Sequence, residues 1–384
     1  MMLITNKQIA IVGGGPGGLM LARLLQMKGA TVKVYERDKN KTIRQQGATL
    51  DLHEESGLKA MTAAGLMEQF QLHYRPGAEK LRVVDENATI LLDEHTHQDN
   101  NVSHQRPEID RGPLRDILMA SLLPDTITWD AQFASMETKD NGWKLHFKNG
   151  ATALADIVIA ADGANSLIRP WLSDIAPIYS GVTAVEGNIY QAKKNAPKLN
   201  ALLQGGKVFA LGKEKSLIMS AKGDGTLSFY AGFKAVENWL QTSNINFKDP
   251  QSAFDWFLHV YADWHPIWQE LFQAEDISFV PRPMYHYPLD QQWQTQSNLT
   301  MLGDAAHRMP PYAGEGVNMA LLDALELSEC LTSEQFETIH DAIAAYEKQM
   351  LPRAAAATEM SVANTALLHG ENAMNSLFAI FQGD

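Results

Sequence analysis

The spacing of apolar positions changes twice within the N-terminal stretch. Gln8 to Val12 is a short apolar run that ends in glycines, and Leu21, Leu24 and Leu25 then recur at helical spacing until Gly29. Thr31 to Tyr35 alternates again and ends at Glu36-Arg37. The pattern predicts strand, turn, helix and strand, a βαβ unit with parallel strands and a right-handed crossover.

Further along, Leu81 to Leu92 reads as a β-hairpin around Asp85-Glu86-Asn87, followed by a polar loop with His95, His97, Asp99, Asn100 and Asn101. Asp110 to Leu122 has a helical period, and Asp156 to Ala161 has the continuous apolar character of a strand buried in a parallel sheet. The texture changes between Val182 and Phe233. Alternating segments at Val182 to Tyr190, Lys207 to Leu211, Ser216 to Ala221 and Leu227 to Phe233 predict an antiparallel sheet. Helical pieces are expected around Ala253 to Trp264 and Pro266 to Phe272. A buried strand at Leu299 to Leu302 runs into Gly303-Asp304, and helices fill the chain from Ile339 onward, the Ala354 to Ala357 run included.

Composition narrows the class. The chain has 384 residues, 45% hydrophobic and 20% charged, which is ordinary for a globular protein of two joined domains. Its net charge of −13 and the lack of a Lys/Arg stripe exclude a nucleic-acid partner. No run approaches the roughly 20 apolar residues of a membrane span. The single cysteine, Cys330, permits no internal disulfide and reads as core filler. With no secretion signal in the sequence, a cytoplasmic monomer is expected. His95 and His97 lack cysteine or carboxylate at ligand spacing, so no metal is expected.

The candidate chemistry begins at Gly13-Gly14-Gly15-Pro16-Gly17-Gly18, where Gly13, Gly15 and Gly18 satisfy GxGxxG between a strand and a helix. The first glycine allows the tight turn, the second lets a pyrophosphate approach the backbone, and the third permits close helix packing. The helix N-terminus adds partial positive charge. Glu36, at the end of the second strand, can accept hydrogen bonds from an adenosine ribose. This motif alone serves FAD and NAD equally well.

Two distant segments separate them. One is Asp162-Gly163-Ala164-Asn165-Ser166 with Arg169; the other is Gly303-Asp304-Ala305-Ala306-His307 leading to Pro310-Pro311-Tyr312-Ala313-Gly314-Glu315-Gly316-Val317-Asn318. An NAD dehydrogenase needs neither. Asp304 can bond the ribityl chain of FAD, and Gly314 and Gly316 can bring backbone beside the isoalloxazine. The helix that starts at Val317 would point its positive end at the flavin. His307 reads as holding the turn; a role as general base is the weaker reading.

Together the three motifs resemble the class A flavoprotein monooxygenases, the family of para-hydroxybenzoate hydroxylase, over nearly the whole chain. The likeness is closer to the tetracycline-inactivating flavin monooxygenases. It rests on Gly47-Ala48-Thr49-Leu50-Asp51-Leu52-His53, on Pro107-Glu108-Ile109-Asp110-Arg111 with Leu114-Arg115, and on Met309 to Gly314. The resemblance implies an α/β fold with a Rossmann-like, doubly wound FAD domain of the glutathione-reductase type. FAD-binding segments 1–75, 106–180 and 278–332 would alternate with substrate-domain segments 76–105 and 181–277, and 333–384 would form long C-terminal helices bridging both. It also implies that Asp51, Arg111 and Asp304 contact FAD with Arg115 nearby, that Arg37 belongs to the cofactor site, and that Arg44 receives a transient NADPH or NADH.

The implied activity is an NAD(P)H-consuming, O₂-dependent hydroxylation of an electron-rich aromatic, phenolic or enolic polycyclic substrate by a C4a-hydroperoxyflavin, with tetracycline inactivation as one case and NADPH as the favoured reductant. No conventional catalytic side chain is then needed, and a rather apolar pocket with few acids or bases is expected. The substrate wall would comprise Glu186, Lys207, Phe209, Ser228, Pro311, Tyr312, Gly314, Asn364 and Leu368. Glu186, Lys207 and Ser228 stand where the tetracycline-inactivating relatives present Gln, Arg and His, so the match is partial. The alternatives are a flavin-dependent reductase or dehydrogenase of a polycyclic or isoprenoid compound without oxygen insertion, and a non-catalytic dinucleotide-binding protein.

Overall fold

A computed structural model describes residues 3–42, 47–96 and 106–382. Arg44, His97, Asp99, Asn100 and Asn101 lie outside the described residues. Strands Gln8–Val12 and Thr31–Tyr35 pair in parallel, joined by the helix Pro16–Met27. Gly29 takes φ +81° just beyond that helix, a conformation that favours glycine. Ile157–Ala160 pairs on the other side of the first strand, and Leu299–Met301 lies outside it. With Ile127–Thr128 the order is a five-stranded parallel sheet whose central strand is the N-terminal one. The two strands reached latest in the chain are buried along their whole length, as their unbroken apolar runs require.

The second large sheet has seven strands, in the order Ile277–His286, Ile178–Ile189, Leu227–Lys234, Lys215–Ala221, Lys207–Gly212, Leu81–Asp85 and Ile90–Asp93. It is mixed, not purely antiparallel, because Lys207–Gly212 runs parallel to Leu81–Asp85. The hairpin turn at 85–89 is closed by Asp85 Oδ1, which accepts from the Asn87 and Thr89 amides. Ile277–His286 had no strand signal, since it carries Pro281 and Pro283. It sits on the sheet edge, where a missing N–H is tolerated. A three-stranded antiparallel sheet, Phe133–Lys139, Gly142–Phe147 and Thr152–Ala155, was likewise not anticipated.

One face of the seven-stranded sheet buries a cluster rich in aromatics, including Phe229, Trp256, Phe257, Trp268 and Phe272, against the helices of 250–273. Its other face looks toward the parallel sheet. The C-terminal helix Ile339–Leu368 begins at Thr338, whose hydroxyl accepts from the Asp341 amide, and continues through Pro352. The helix Ala373–Gln382 follows. No helix among the described residues is long and apolar enough to cross a membrane.

Candidate cofactor and substrate site

A single cleft of about 1340 Å³ runs from the glycine turn to the inner face of the seven-stranded sheet. At one end the turn Gly13 to Gly18 meets Glu36 and Arg37. Gly13 has φ +116°, and a Cβ there would lie 2.1 Å from the Ala161 carbonyl oxygen; one on Gly18 would lie 2.2 Å from the Gly13 oxygen. These two glycines are required by the protein's own packing. Gly15 differs, since a Cβ there would meet nothing within 4 Å. It guards open space above an uncapped helix N-terminus with no acidic residue in its first turn, which is a place for an anion. Glu36 is buried, with Oε2 accepting from Gly14 N at 2.7 Å and Oε1 from Asp38 N at 2.9 Å. It therefore shapes the glycine turn at the end of the second strand.

The other two motifs meet at Arg169. This buried guanidinium donates to the carbonyls of Ala305 and Ala306 at 3.0 and 2.9 Å and to Gln291 Oε1 at 2.7 Å, and it stacks 3.4 Å over Tyr287. Asp162 starts the same segment. Its Oδ2 accepts from Leu167 N, its Oδ1 is buried without a protein partner, and burial pushes its carboxyl upward. On the Gly303–His307 turn, Asp304 is exposed toward the cleft while Ala305, Ala306 and His307 are buried.

His307 is not available for catalysis. It contacts Asp323 at 2.5 Å, and the same carboxylate accepts from Gly303 N at 2.8 Å and Arg353 Nη2 at 3.0 Å. Burial opposes its charge, but Asp323 prevails and raises the imidazole's pKa. This residue holds the turn, the reading favoured from sequence.

Segment 49–53 and the Pro310–Gly316 loop form the middle of the cleft. Gly314 has φ +70° and packs against Asp51, whose carboxylate oxygens are 3.1 and 3.3 Å from where a Cβ would stand. Asn318 is fully buried behind them, donating to Asp51 O and Gly314 O and accepting from His53 N. Arg115 is also behind the wall. It donates to Gly14 O, Lys41 O and Asp38, bracing the glycine turn from below. Asn318 and Arg115, both expected at the cofactor, thus position wall residues and do not line the cleft. Asp51, Arg111, Asp162, Gly163, Gly303, Asp304, Pro311, Gly314, Gly316 and Val317 do line it.

On the substrate side, Lys207, Phe209, Ser228, Pro311, Tyr312, Gly314, Asn364 and Leu368 line the cleft, and Glu186 does not. Arg282, on the neighbouring edge strand, pairs with Glu186 and takes its place at the surface of the cleft. The expected shortage of acids and bases is also corrected. Lys207 pairs with the fully buried Glu108, and Asp51 pairs with His53, so charges are held here by matching partners. Sequence reasoning gave no role to Glu108, Arg282, Ser220 or Tyr230. A glutamate inside the Pro107–Arg111 motif was the one visible signal. The Tyr230 phenol, buried and near Glu186, is pushed up to about 12 and stays a neutral donor. Asn364 donates to Tyr312 O, fixing the loop to the long helix.

FAD fits this wall. Arg111 Nε, a donor, and Asp162 Oδ1, an acceptor, are both buried on it without a protein partner, and the open space at Gly15 leaves room for a pyrophosphate.

Comparison with known proteins agrees. The family model described as "FAD binding domain" matches residues 6–361. The chain is 28% identical over 421 residues to the monooxygenase penA of Penicillium thymicola, covering 95% of this chain and 96% of that protein. Among solved structures, Klebsiella pneumoniae HpxO complexed with FAD and uric acid superposes with a TM-score of 0.77 at 20% identity, over 99% of this chain and 93% of that one. The tetracycline destructase Tet(55) does so at 0.77 and 21%, over 100% and 96%. The chain belongs to the FAD binding domain family and is an FAD-dependent monooxygenase.

Proposed function

We propose that this enzyme takes electrons from NADPH, or less readily NADH, and hydroxylates an uncharged, electron-rich aromatic, phenolic or enolic polycyclic compound. With FAD bound, one oxygen atom of O₂ goes to a nucleophilic carbon and the other leaves as water. The chain's own residues bind and orient the two molecules and keep water from the reacting end.

The observation that carries the substrate class is a polar row across the sheet. Cross-strand register places Ser278 opposite Asn188, Asn188 opposite Ser228, Ser228 opposite Ser220, and Ser220 opposite Lys207, and of these Ser228, Ser220 and Lys207 line the cleft. Ser228 Oγ is buried at the cleft without a partner, and Asn188 Oδ1 and Ser278 Oγ, further along the row and off the cleft lining, are unpartnered too. Each such group costs about 1–3 kcal/mol until something bonds it. Phe209, Ile218, Leu368 and Leu377 supply the apolar surround. A flat ring system with oxygens along one edge satisfies both. Because Lys207 and Arg282 are each neutralised by a buried glutamate, an uncharged edge is favoured over a carboxylate.

Tetracyclines present a phenolic and enolic oxygen edge without a carboxylate, and the fold shared with Tet(55) makes them the first probe. Asp162, Arg111, Asp304 and the glycine turn form the proposed FAD contacts, and Lys207, Ser228 and Tyr312 the substrate contacts. The proposed domain division follows the same lines, with 1–75, 106–180 and 278–332 carrying FAD, 76–105 and 181–277 the substrate, and 333–384 bridging them.

The test is a screen of tetracyclines, uncharged polyphenols and their carboxylated analogues for stimulated NADPH oxidation. Stimulation by the uncharged compounds supports the reading, and stimulation by carboxylates alone overturns it. If tetracyclines neither stimulate oxidation nor lose their absorbance, the drug-inactivation reading fails.

A further inference from the structure

His53 stands between two carboxylates on different walls of the cleft. Its Nε2 is 3.2 Å from Asp51 Oδ2, on the segment that pairs with Glu108–Asp110, and its Nδ1 is 3.3 Å from Glu315 Oε1, on the loop that ends at Gly316. An ionised carboxylate only accepts hydrogen bonds, so both ring nitrogens must carry protons to satisfy both neighbours. A neutral imidazole can serve one of them. The backbone is tied at the same place, since Asn318 bonds His53 N, Asp51 O and Gly314 O. The three side chains are mostly shielded, with 14%, 21% and 13% exposure for His53, Asp51 and Glu315.

We propose that His53 is a positioning residue: as an imidazolium between Asp51 and Glu315 it latches the 310–316 loop onto segment 49–53 and so sets how tightly the cleft holds FAD. The proposal rests on the assignment of this cleft to FAD. Asp51 and Gly314 both line the cleft and pack directly against each other, beside the His53 contacts. Deprotonation of His53 leaves two negative groups facing each other across one ring with a single proton to share, and the side-chain tie between the loop and segment 49–53 is weakened while the Asn318 and Asn364 bonds remain.

The charges that face the latch are consistent with this. Burial opposes the imidazolium, but its bonds to Asp51 and Glu315 outweigh that and raise it to about 9. On the Asp51 side, burial raises the carboxyl, and His53 and Lys207 more than reverse it. Glu108 faces Asp51 from the paired strand and is itself pushed up, by burial first. Glu54 and Glu55, next along the chain, are exposed. A group raised in the folded state contributes fully below its ordinary pKa of 6.5 and loses that contribution as pH rises through about 9.

The experiment measures the FAD dissociation constant of the full-length protein by flavin fluorescence across neutral to alkaline pH, for the wild type, His53→Gln and Glu315→Gln. The wild type should hold FAD evenly at neutral pH and lose affinity as pH passes about 9. His53→Gln should bind FAD at least about tenfold more weakly at neutral pH, with that alkaline step gone. Glu315→Gln removes one of the two carboxylates that hold the proton, so its step should move to lower pH. That displacement is what a merely structural histidine would not produce, and it is readable even if His53→Gln does not fold. An unmoved step in Glu315→Gln, or unchanged FAD affinity in a folded His53→Gln, overturns the latch. A wild type that takes up no FAD at any pH overturns the FAD assignment itself and is distinct from both.

Discussion

Replacing Asp323 by asparagine should cost more than any other single isosteric change at the site. The carboxylate is fully buried and serves three donors: Gly303 N and His307 on Oδ2, and Arg353 on Oδ1. An amide has one oxygen to offer. If that oxygen faces Gly303, the new NH₂ points at the Arg353 guanidinium; if it faces Arg353, the NH₂ points at Gly303 N and His307. Arg353 keeps Glu326 in either case. Breaking a buried ion pair costs about 3–5 kcal/mol, and the geometry gives no route by which the loss could be recovered.

Urea unfolding followed by tryptophan fluorescence measures this directly. FAD titration should show weaker binding, because Gly303 and Asp304 lose the anchor beneath them. The pH dependence adds a signature. His307 is raised in the fold, so its contribution is complete below 6.5 and fades as pH rises through the raised value. Asp323 is lowered, so its contribution is complete above 3.8 and fades as pH falls through the lowered value. In Asp323→Asn the acid slope should disappear, and the His307 slope should be lost or reversed, because burial then acts on the imidazole without Asp323 to oppose it. A variant within about 1 kcal/mol of the wild type, with FAD affinity unchanged, would refute the reasoning.

Three further outcomes follow from the same geometry. Gly15→Val should fold with a normal melting curve and lose FAD, whereas Gly18→Ala, which drives a methyl to 2.2 Å from the Gly13 oxygen, should lower stability by circular dichroism even without cofactor. Arg169→Lys keeps a charge but loses the fork that binds Ala305 O, Ala306 O and Gln291 together with the stacking on Tyr287, and should cost about 2–4 kcal/mol in urea unfolding. Glu108→Gln frees the Lys207 ammonium and should shift selectivity toward carboxylated aromatics by about tenfold in kcat/KM for NADPH oxidation; unchanged selectivity would mean that the pairing does not screen the lysine.

What the sequence revealed and what it hid divide along physical lines. The parallel sheet was largely legible because three of its five strands are apolar runs that lead into a glycine motif, Val12 into Gly13, Ala160 toward Asp162-Gly163, and Met301 toward Gly303, whereas the two-residue strand Ile127–Thr128 carries no such signal. Local chemistry sets those signals. The edge strand Ile277–His286 was hidden because its prolines speak against a strand unless its edge position is known. The displacement of Glu186 from the cleft was hidden too, since its partner Arg282 is 96 positions away. Arg115 and Asn318 look like cofactor ligands in the motif, and only the fold shows that Arg115 bonds Gly14 O, Lys41 O and Asp38 and that Asn318 bonds Asp51 O and Gly314 O. The polar row on the sheet is a property of cross-strand register, which no single segment encodes.

Turnover under isotopically labelled O₂, with NADPH and a substrate that stimulates its oxidation, decides whether this enzyme inserts oxygen. The FAD-loaded protein should be yellow, and its product should carry one labelled oxygen atom, with the second label in water. An FAD-loaded protein that consumes NADPH and yields product without label would contradict oxygen insertion and identify a flavin-dependent reductase or dehydrogenase instead.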